Sequence, residues 1–447
     1  MWIGRNRTES STVDLVFRFG GIPDGARDHT RGRQPAIDRM PTSHDDAAMS
    51  ATETPVTAGE PVIRLVPTAE ERLLRESVGA IAARYGQKYM LECAEAGEPP
   101  TAMWDELAEH GFCGANLPEE YGGGDMGMTG LAIVQEELAR HGCTQLLLVV
   151  SPAIAGSILT KHGTPEQKDR WLPGLAAGTE RIAFAVTEAD AGTNTHKITT
   201  RAKRTAGGDW VIKGQKTYIS AVEHATAILV VARAELDDGT LGLPLLFIVD
   251  VDAEGLTRQQ VPTALRMPDR QWTLFIDGIT VGPDRVVGGE VGGLGALFDG
   301  LNPERIMAGA GAVGAADRAL QLAADYARER VVWGQPIGAH QGISHPLAEC
   351  KVEVELARLM IRKACALCDA GWKGAGEASN MGKYAAAEAV VHCVDHAIQT
   401  HGGNGVALEY GISDMWWGAR LTRIAPVSRE MILNYVAEHS LGLPKSY

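Results

Sequence analysis

A chain of 447 residues, 45% hydrophobic and 22% charged, is long enough for two or three domains with ample core. Its net charge of -14 argues against nucleic acid or an anionic membrane as partner. No apolar run approaches the ~20 residues of a membrane span, and seven scattered cysteines suit free thiols in a reducing compartment.

Residues 1–60 mix Arg, Asp, Ser, Thr, Pro and Gly without periodicity, so a disordered extension is expected there. Acidic residues interrupt its arginines, which fits neither a signal nor a transit peptide, and Met40 and Met49 offer alternative starts. Residues 61–180 form an N-terminal helical domain, with helices expected over 70–85, 101–110, 129–140, 151–161 and 165–175. A glycine-rich loop, GFCGANLPEEYGGGDMG, separates the second from the third. Near Ile182 the period becomes strand-like. Short runs at 182–186, 210–212, 216–220, 227–233, 245–251 and 272–276 predict a small antiparallel barrel or sandwich over 181–292. Gly207-Gly208-Asp209 and Asp237-Asp238-Gly239 punctuate it as hairpin turns. A glycine-rich stretch from Gly282 to Gly295 leads back to helices, and 293–447 reads as a four-helix bundle. The fold class is mainly α with a central β-domain.

Within the last region, Ile306, Ala310, Val313, Ala316, Leu320, Ala323 and Ala327 recur at helical spacing. Asn302-Pro303 serves either as N-cap and first helical residue or as a kink in a helix already running. Both options display Glu304 and Arg305 at a break in backbone regularity. A carboxylate beside a guanidinium there is a candidate general base with a partner; a helix-start Glu favoured by the macrodipole is the plainer alternative. Helices at 345–370, 381–400 and 428–439 complete the bundle. Cys365 and Cys368 lie on the apolar stripe Leu347, Cys350, Val354, Ala357, Ile361, Ala364, Cys368 and read as core, and His392 with His396 lacks a third metal ligand.

The order of helical layer, β-domain and bundle resembles the acyl-CoA dehydrogenase family, and ordered motifs carry the resemblance across almost everything after residue 65. They are LPEEYGG with EELAR, EQKDRWLPGLAAGT, AVTEADAGTNTH at 185–196, GQKTYIS at 214–220, RERVVWGQPIGAHQ, and QTHGGNG at 399–405. Ala189 stands where the family usually has proline, Tyr218 where it generally has Trp, and Ser220 where Thr is usual. The resemblance implies an FAD site contacted by Thr187, Thr193, Tyr218, Ser220 and Ser428. Arg330, Trp333 and Gln341 would reach a neighbouring subunit's FAD, and Gln399, Gly402 and Gly403 of the glycine turn would contact FAD from the C-terminal domain. Thr193 and Arg305 would also meet substrate. Each residue type has a physical sense: small hydroxyls satisfy flavin carbonyls, Arg offers a fork to a diphosphate, Trp a flat face, and glycines let backbone approach a dinucleotide.

The implied reaction is α,β-dehydrogenation of an acyl-CoA thioester: a carboxylate removes the α-proton and the β-hydrogen leaves as hydride to the flavin, giving a trans-2-enoyl-CoA. Electrons would pass to an electron-transferring flavoprotein. The alternatives are an oxidase of the same fold and a catalytically silent member acting in binding or assembly. In many members the base is a Glu in an EGT-type loop, but here RIAPVSREMI puts Pro426 and Val427 in its place. In isovaleryl- and long-chain-type members the base precedes an arginine on the bundle helix, and that position is Glu304. Glu430 is the fallback. Pro426 also has no N–H for the thioester oxygen, leaving Val427 or the flavin ribityl hydroxyl to serve. Trp416 and Trp417 in WWGAR either line the acyl pocket or cap the bundle, and packing is the expectation. A homodimer or dimer of dimers follows from the resemblance, with no metal, in a bacterial-type cytoplasm rather than a mitochondrial matrix.

Overall fold

The computed structural model describes residues 62–446, and the extension expected over 1–60 lies outside them. The first helix, α1 (Ala69–Ala96), opens on a capping box in which Thr68 Oγ1 accepts from the Glu71 amide and the Glu71 carboxylate accepts from the Thr68 amide. It runs past the expected end through a kink at Gly86, whose φ of 71° only glycine adopts freely. Then come α2 (Thr101–Glu109), α3 (Gly127–Arg140), α4 (Leu146–Leu148), a π-type segment Val149–Gly156, α5 (Ser157–His162) and α6 (Pro165–Ala176). Residues Gly130 to Ala139 of α3 are buried on every side, because the helix lies between this layer and the bundle.

The β-domain comprises β1 (Ile182–Ala185), β2 (Arg201–Arg204), β3 (Trp210–Ser220), β4 (Ala227–Glu235), β5 (Leu241–Asp250), β6 (Leu256–Val261), β7 (Gln271–Val281) and β8 (Val286–Val287). They pair in the order β6-β7-β3-β2-β4-β5-β8, with β1 also on β4. The sheet is not wholly antiparallel: β1 and β2 both run parallel to β4, at Ile182↔Ala227 and Arg201↔Arg233. The two runs expected at 210–212 and 216–220 are one strand, since register shifts at Ile212/Lys213 and Lys216/Ile219 break its alternation. Strands β2 (RAKR) and β6 (LTRQQV) were invisible to hydrophobic patterning because their side chains are mostly exposed and polar.

The bundle holds α7 (Gly289–Glu329), the hairpin β9 (Val331–Val332) and β10 (Gln335–Pro336), then α8 (Gln341–Asp369), α9 (Ala375–His401), α10 (Met415–Leu421) and α11 (Arg429–Tyr435). The expected fourth helix is short, continued only by a π-type turn to Ser440. Instead α3 packs along α7: a Cβ on Gly314 would come within 2.0 Å of the Glu136 carbonyl. The glycine stretch is largely helical, not a connecting loop. Gly293 lets the start of α7 lie on β5, since a Cβ there would meet the Pro244 carbonyl at 2.4 Å. Pro303 sits inside α7, so of the two sequence alternatives the running helix holds. The first half of α7 joins the core shared with the N-terminal layer and its second half the bundle core. Among the described residues no helix is long and apolar enough to cross a membrane.

Candidate functional site

Where α7 passes between the layers, a cavity of about 1580 Å³ opens against the β-domain. Its floor is one face of α7, bearing Leu297, Leu301, Glu304, Ala308 and Gly311. Pro303 removes the amide that would bond one turn back, so the helix is locally loosened at the residue before Glu304. The Glu304 carboxylate has no hydrogen-bond or ion-pair partner among the described residues. Burial pushes its pKa from 4.5 up to about 7, against the pull of Arg305 and Lys383. Arg305 does not pair with it. Its Nη1 donates to Asn302 Oδ1 at 3.0 Å, and its Nε is buried without a partner.

The segment that replaces the EGT-type loop lines the same cavity through Pro426, Val427 and Ser428, and contributes no carboxylate. Lys383 of α9, 1% exposed, donates from Nζ to the Val427 carbonyl and so fixes this segment. Burial lowers the Lys383 pKa to about 8, although Glu304 draws it upward. This lysine was not legible in the sequence; its one signal was a place on the small-residue face of α9 with Asn380 and Ala387. Glu430 lies outside the cavity, 72% exposed and near Arg429 at 3.8 Å.

Thr187, Thr193, Tyr218, Ser220 and Ser428 all line the cavity. Tyr218 does so through backbone strain: it sits in the second irregularity of β3 with φ 56°. Ser220 Oγ donates to Gln271 Oε1 at 3.1 Å, and Ser428 Oγ caps α11 by accepting from the Met431 amide at 3.3 Å. The loop holding Thr187 and Thr193 is tied to β3 by a buried pair absent from the sequence reading. Lys216 Nζ donates to Glu188 Oε1 at 2.9 Å and to the Val186 carbonyl at 3.0 Å. Glu188 also accepts from both Thr199 groups and the Thr200 amide. Burial opposes this carboxylate, yet Lys216 and those donors outweigh it and hold its pKa at about 2.

Arg330, Trp333, Gln341, Gln399, Gly402 and Gly403 do not reach this cavity; all are exposed at the far end of the bundle. Trp333 and Gly334 form the tip of the β9–β10 hairpin with φ of 52° and 82°, leaving the indole 88% exposed. Gly402 ends α9 with φ 59°. Tyr326 stacks on His401 at 4.2 Å and receives a bond from Asn404 Nδ2 at 3.2 Å, which joins the end of α7 to the glycine turn. Trp416 packs on the bundle, whereas Trp417 is 52% exposed and borders the cavity. Among the described residues no group of His, Cys, Asp or Glu could hold a metal.

This architecture and cavity define an acyl-CoA dehydrogenase, and the chain belongs to that family: its N-terminal, middle and C-terminal domain families match residues 68–179, 183–276 and 292–441. Acyl-CoA dehydrogenase FadE12 of Mycobacterium tuberculosis (strain ATCC 25618 / H37Rv) is 52% identical over 383 residues, 86% of this chain and 98% of that protein. Cyclohex-1-ene-1-carbonyl-CoA dehydrogenase of Geobacter metallireducens is 32% identical, covering 80% of this chain and 94% of its own length. Among solved structures, the glutaryl-coenzyme A dehydrogenase glutaryl-CoA complex superposes with a TM-score of 0.80 at 27% identity, over 86% of this chain and 98% of that one.

Proposed function

We propose that this chain removes hydrogen from the α and β carbons of an acyl-CoA thioester to give the trans-2-enoyl-CoA, with Glu304 as the base. The observation that carries the reading is an unpartnered carboxylate on the cavity face of α7, with its pKa raised by burial to about 7, where a carboxylate is both available and basic. Glu304 takes the α-proton at its carboxylate oxygen. Arg305 and Lys383 stabilise the charged base before the transfer without bonding to it. Val427 carries the backbone N–H next to Pro426 and is the donor proposed for the thioester oxygen. Thr193 and Arg305 are proposed to contact substrate.

FAD is the proposed resident cofactor, and the cavity fits it in two respects. At about 1580 Å³ it exceeds the ~300–1,000 Å³ of a single-ligand pocket, leaving room for flavin and thioester together. Thr187, Thr193, Tyr218, Ser220 and Ser428 converge on it with small polar groups suited to a flavin edge. When bound, FAD supplies the acceptor for the β-hydride. Electron-transferring flavoprotein is the proposed onward acceptor, and the bacterial relatives favour a cytoplasmic setting. The exposed set around Arg330, Trp333, Gln341, Gln399, Gly402 and Gly403 is proposed to complete the FAD site of a second copy, in a homodimer or dimer of dimers. Residues 61–180, 181–292 and 293–447 are the proposed domains.

Anaerobic mixing with a panel of acyl-CoAs tests the reaction: at least one member should bleach a yellow holoprotein and yield its enoyl-CoA. A colourless protein that FAD cannot reconstitute, or a yellow one that no acyl-CoA bleaches, would rule the reading out. Reoxidation by dioxygen as fast as by electron-transferring flavoprotein would replace the proposed acceptor.

A further inference from the structure

We propose that the acyl group taken by this site carries a hydrogen-bond donor, a hydroxyl or an amide N–H, at the end remote from the thioester, and that Gln135 Oε1 receives it. The inference rests on the dehydrogenation reading and adds the class of acyl chain. Gln135 of α3 is among the residues that line the cavity and is 1% exposed. Its Nε2 donates to the Gln145 backbone carbonyl at 3.2 Å, and only the nitrogen of the amide can serve that carbonyl. The oxygen is therefore fixed in orientation, and it is buried without a partner.

The amide lies against Gly311 of α7, where an added Cβ would stand 3.3 Å from Nε2. Gly311 follows Glu304 by seven residues on the same face, about 10 Å along the helix axis. Leu146, Val149, Ala308 and Ala312 are among the apolar residues that line the cavity. Six residues before Glu304 on α7, Phe298 also lines the cavity and is 50% exposed. With the charged CoA moiety on the Phe298 side, the acyl chain runs from Glu304 toward Gly311 and Gln135.

A methyl terminus there would leave the buried oxygen unsatisfied, which a terminal donor relieves. A terminal carboxylate finds no cation at this depth: Arg318, two turns further on, turns its Nε to Gln87 Oε1 at 3.0 Å.

The test gives the holoenzyme matched straight-chain acyl-CoAs of equal length, one ending in methyl and one in hydroxymethyl, over a series of lengths. The hydroxylated member should win in kcat/KM by about tenfold. The advantage should peak where the chain spans roughly 10 Å beyond the α-carbon and vanish for shorter chains. Gln135→Met, similar in volume but without the acceptor, should reverse the preference. Wild-type preference for the methyl member at every length overturns the inference, as does a Gln135→Met enzyme that still prefers the hydroxyl. Bleaching by neither member at any length overturns the dehydrogenation reading and this inference with it, whereas bleaching by methyl members alone overturns only the inference.

Discussion

Glu304 lies inside α7 and Arg330 just past its end, and their surroundings are opposite. Around Glu304 the chain closes a cavity by itself: α3, the β3 irregularity, α9 and the 426–428 segment all contribute. Around Arg330 it closes nothing, and Trp333, Gln341, Gln399, Gly402 and Gly403 stand in solvent on a scaffold made rigid by Tyr326, His401 and Asn404. The large indole at the strained hairpin tip is 88% exposed and meets its own chain edge-on at His340, ring centres 5.9 Å apart. On the proposed reading the contrast makes chemistry and cofactor retention separable: the cavity would hold the reacting groups, and the far end would meet a second copy.

The sharpest break in that comparison is Glu304→Gln. It should lower single-turnover flavin bleaching by 10²–10⁴-fold while FAD content stays at the wild-type level. Bleaching near the wild-type rate would place the base elsewhere. The same variant should be more stable. Because the folded pKa of Glu304 lies above its unfolded value, the native state holds the extra proton between about pH 4.5 and 7, and stability falls as pH rises through that window. Above pH 7 the apo form of Glu304→Gln should therefore exceed wild type by roughly 1–3 kcal/mol, measurable by denaturant unfolding. An unchanged or lower midpoint would mean that the carboxylate is not desolvated. For the far end, Arg330→Ala should weaken FAD retention about 10- to 100-fold, read as flavin lost on dilution, with bleaching unchanged at saturating FAD. Loss of bleaching in the saturated variant would contradict the separation.

How much of this was legible in the sequence follows the same division. Layer order, the hairpin glycines and the stripe on α7 were readable because they are local patterns of period and turn. The ordered motifs carried the hydroxyl and glycine positions by resemblance. Tertiary pairs were not readable. Lys216 lies 28 residues from Glu188, and Lys383 lies 44 residues from the carbonyl it holds. Patterning treats such lysines as surface residues, since a buried lysine is tolerated only with partners that sequence does not display. The glycine stretch misled for a related reason: glycine marks loops locally, yet Gly293 is required by the close approach of β5. Arg305 misled in the other direction, because adjacency in sequence suggested a partner for Glu304 and the helix turned it toward Asn302.

The smallest predicted effect concerns Lys383, a positioning residue rather than a catalytic one. It touches the Val427 carbonyl and acts on Glu304 through charge alone. Lys383→Met removes a positive charge that lowers the Glu304 pKa, so the acidic limb of the kcat/KM profile should move upward by about half to one pH unit. The wild-type limb should itself rise through about 7, as Glu304 ionises. Near neutral pH the variant should be a few-fold slower, and at a pH well above the shifted limb the charge deficit should disappear. Lys383→Arg keeps the charge and should hold the limb at its wild-type position even if the 426–428 segment shifts and lowers the plateau. These outcomes separate two roles that the geometry combines. A lowered plateau with an unmoved limb in Lys383→Met would mean that the lysine only fixes the Val427 segment. A moved limb restored by Lys383→Arg would mean that its charge also sets when the base can work.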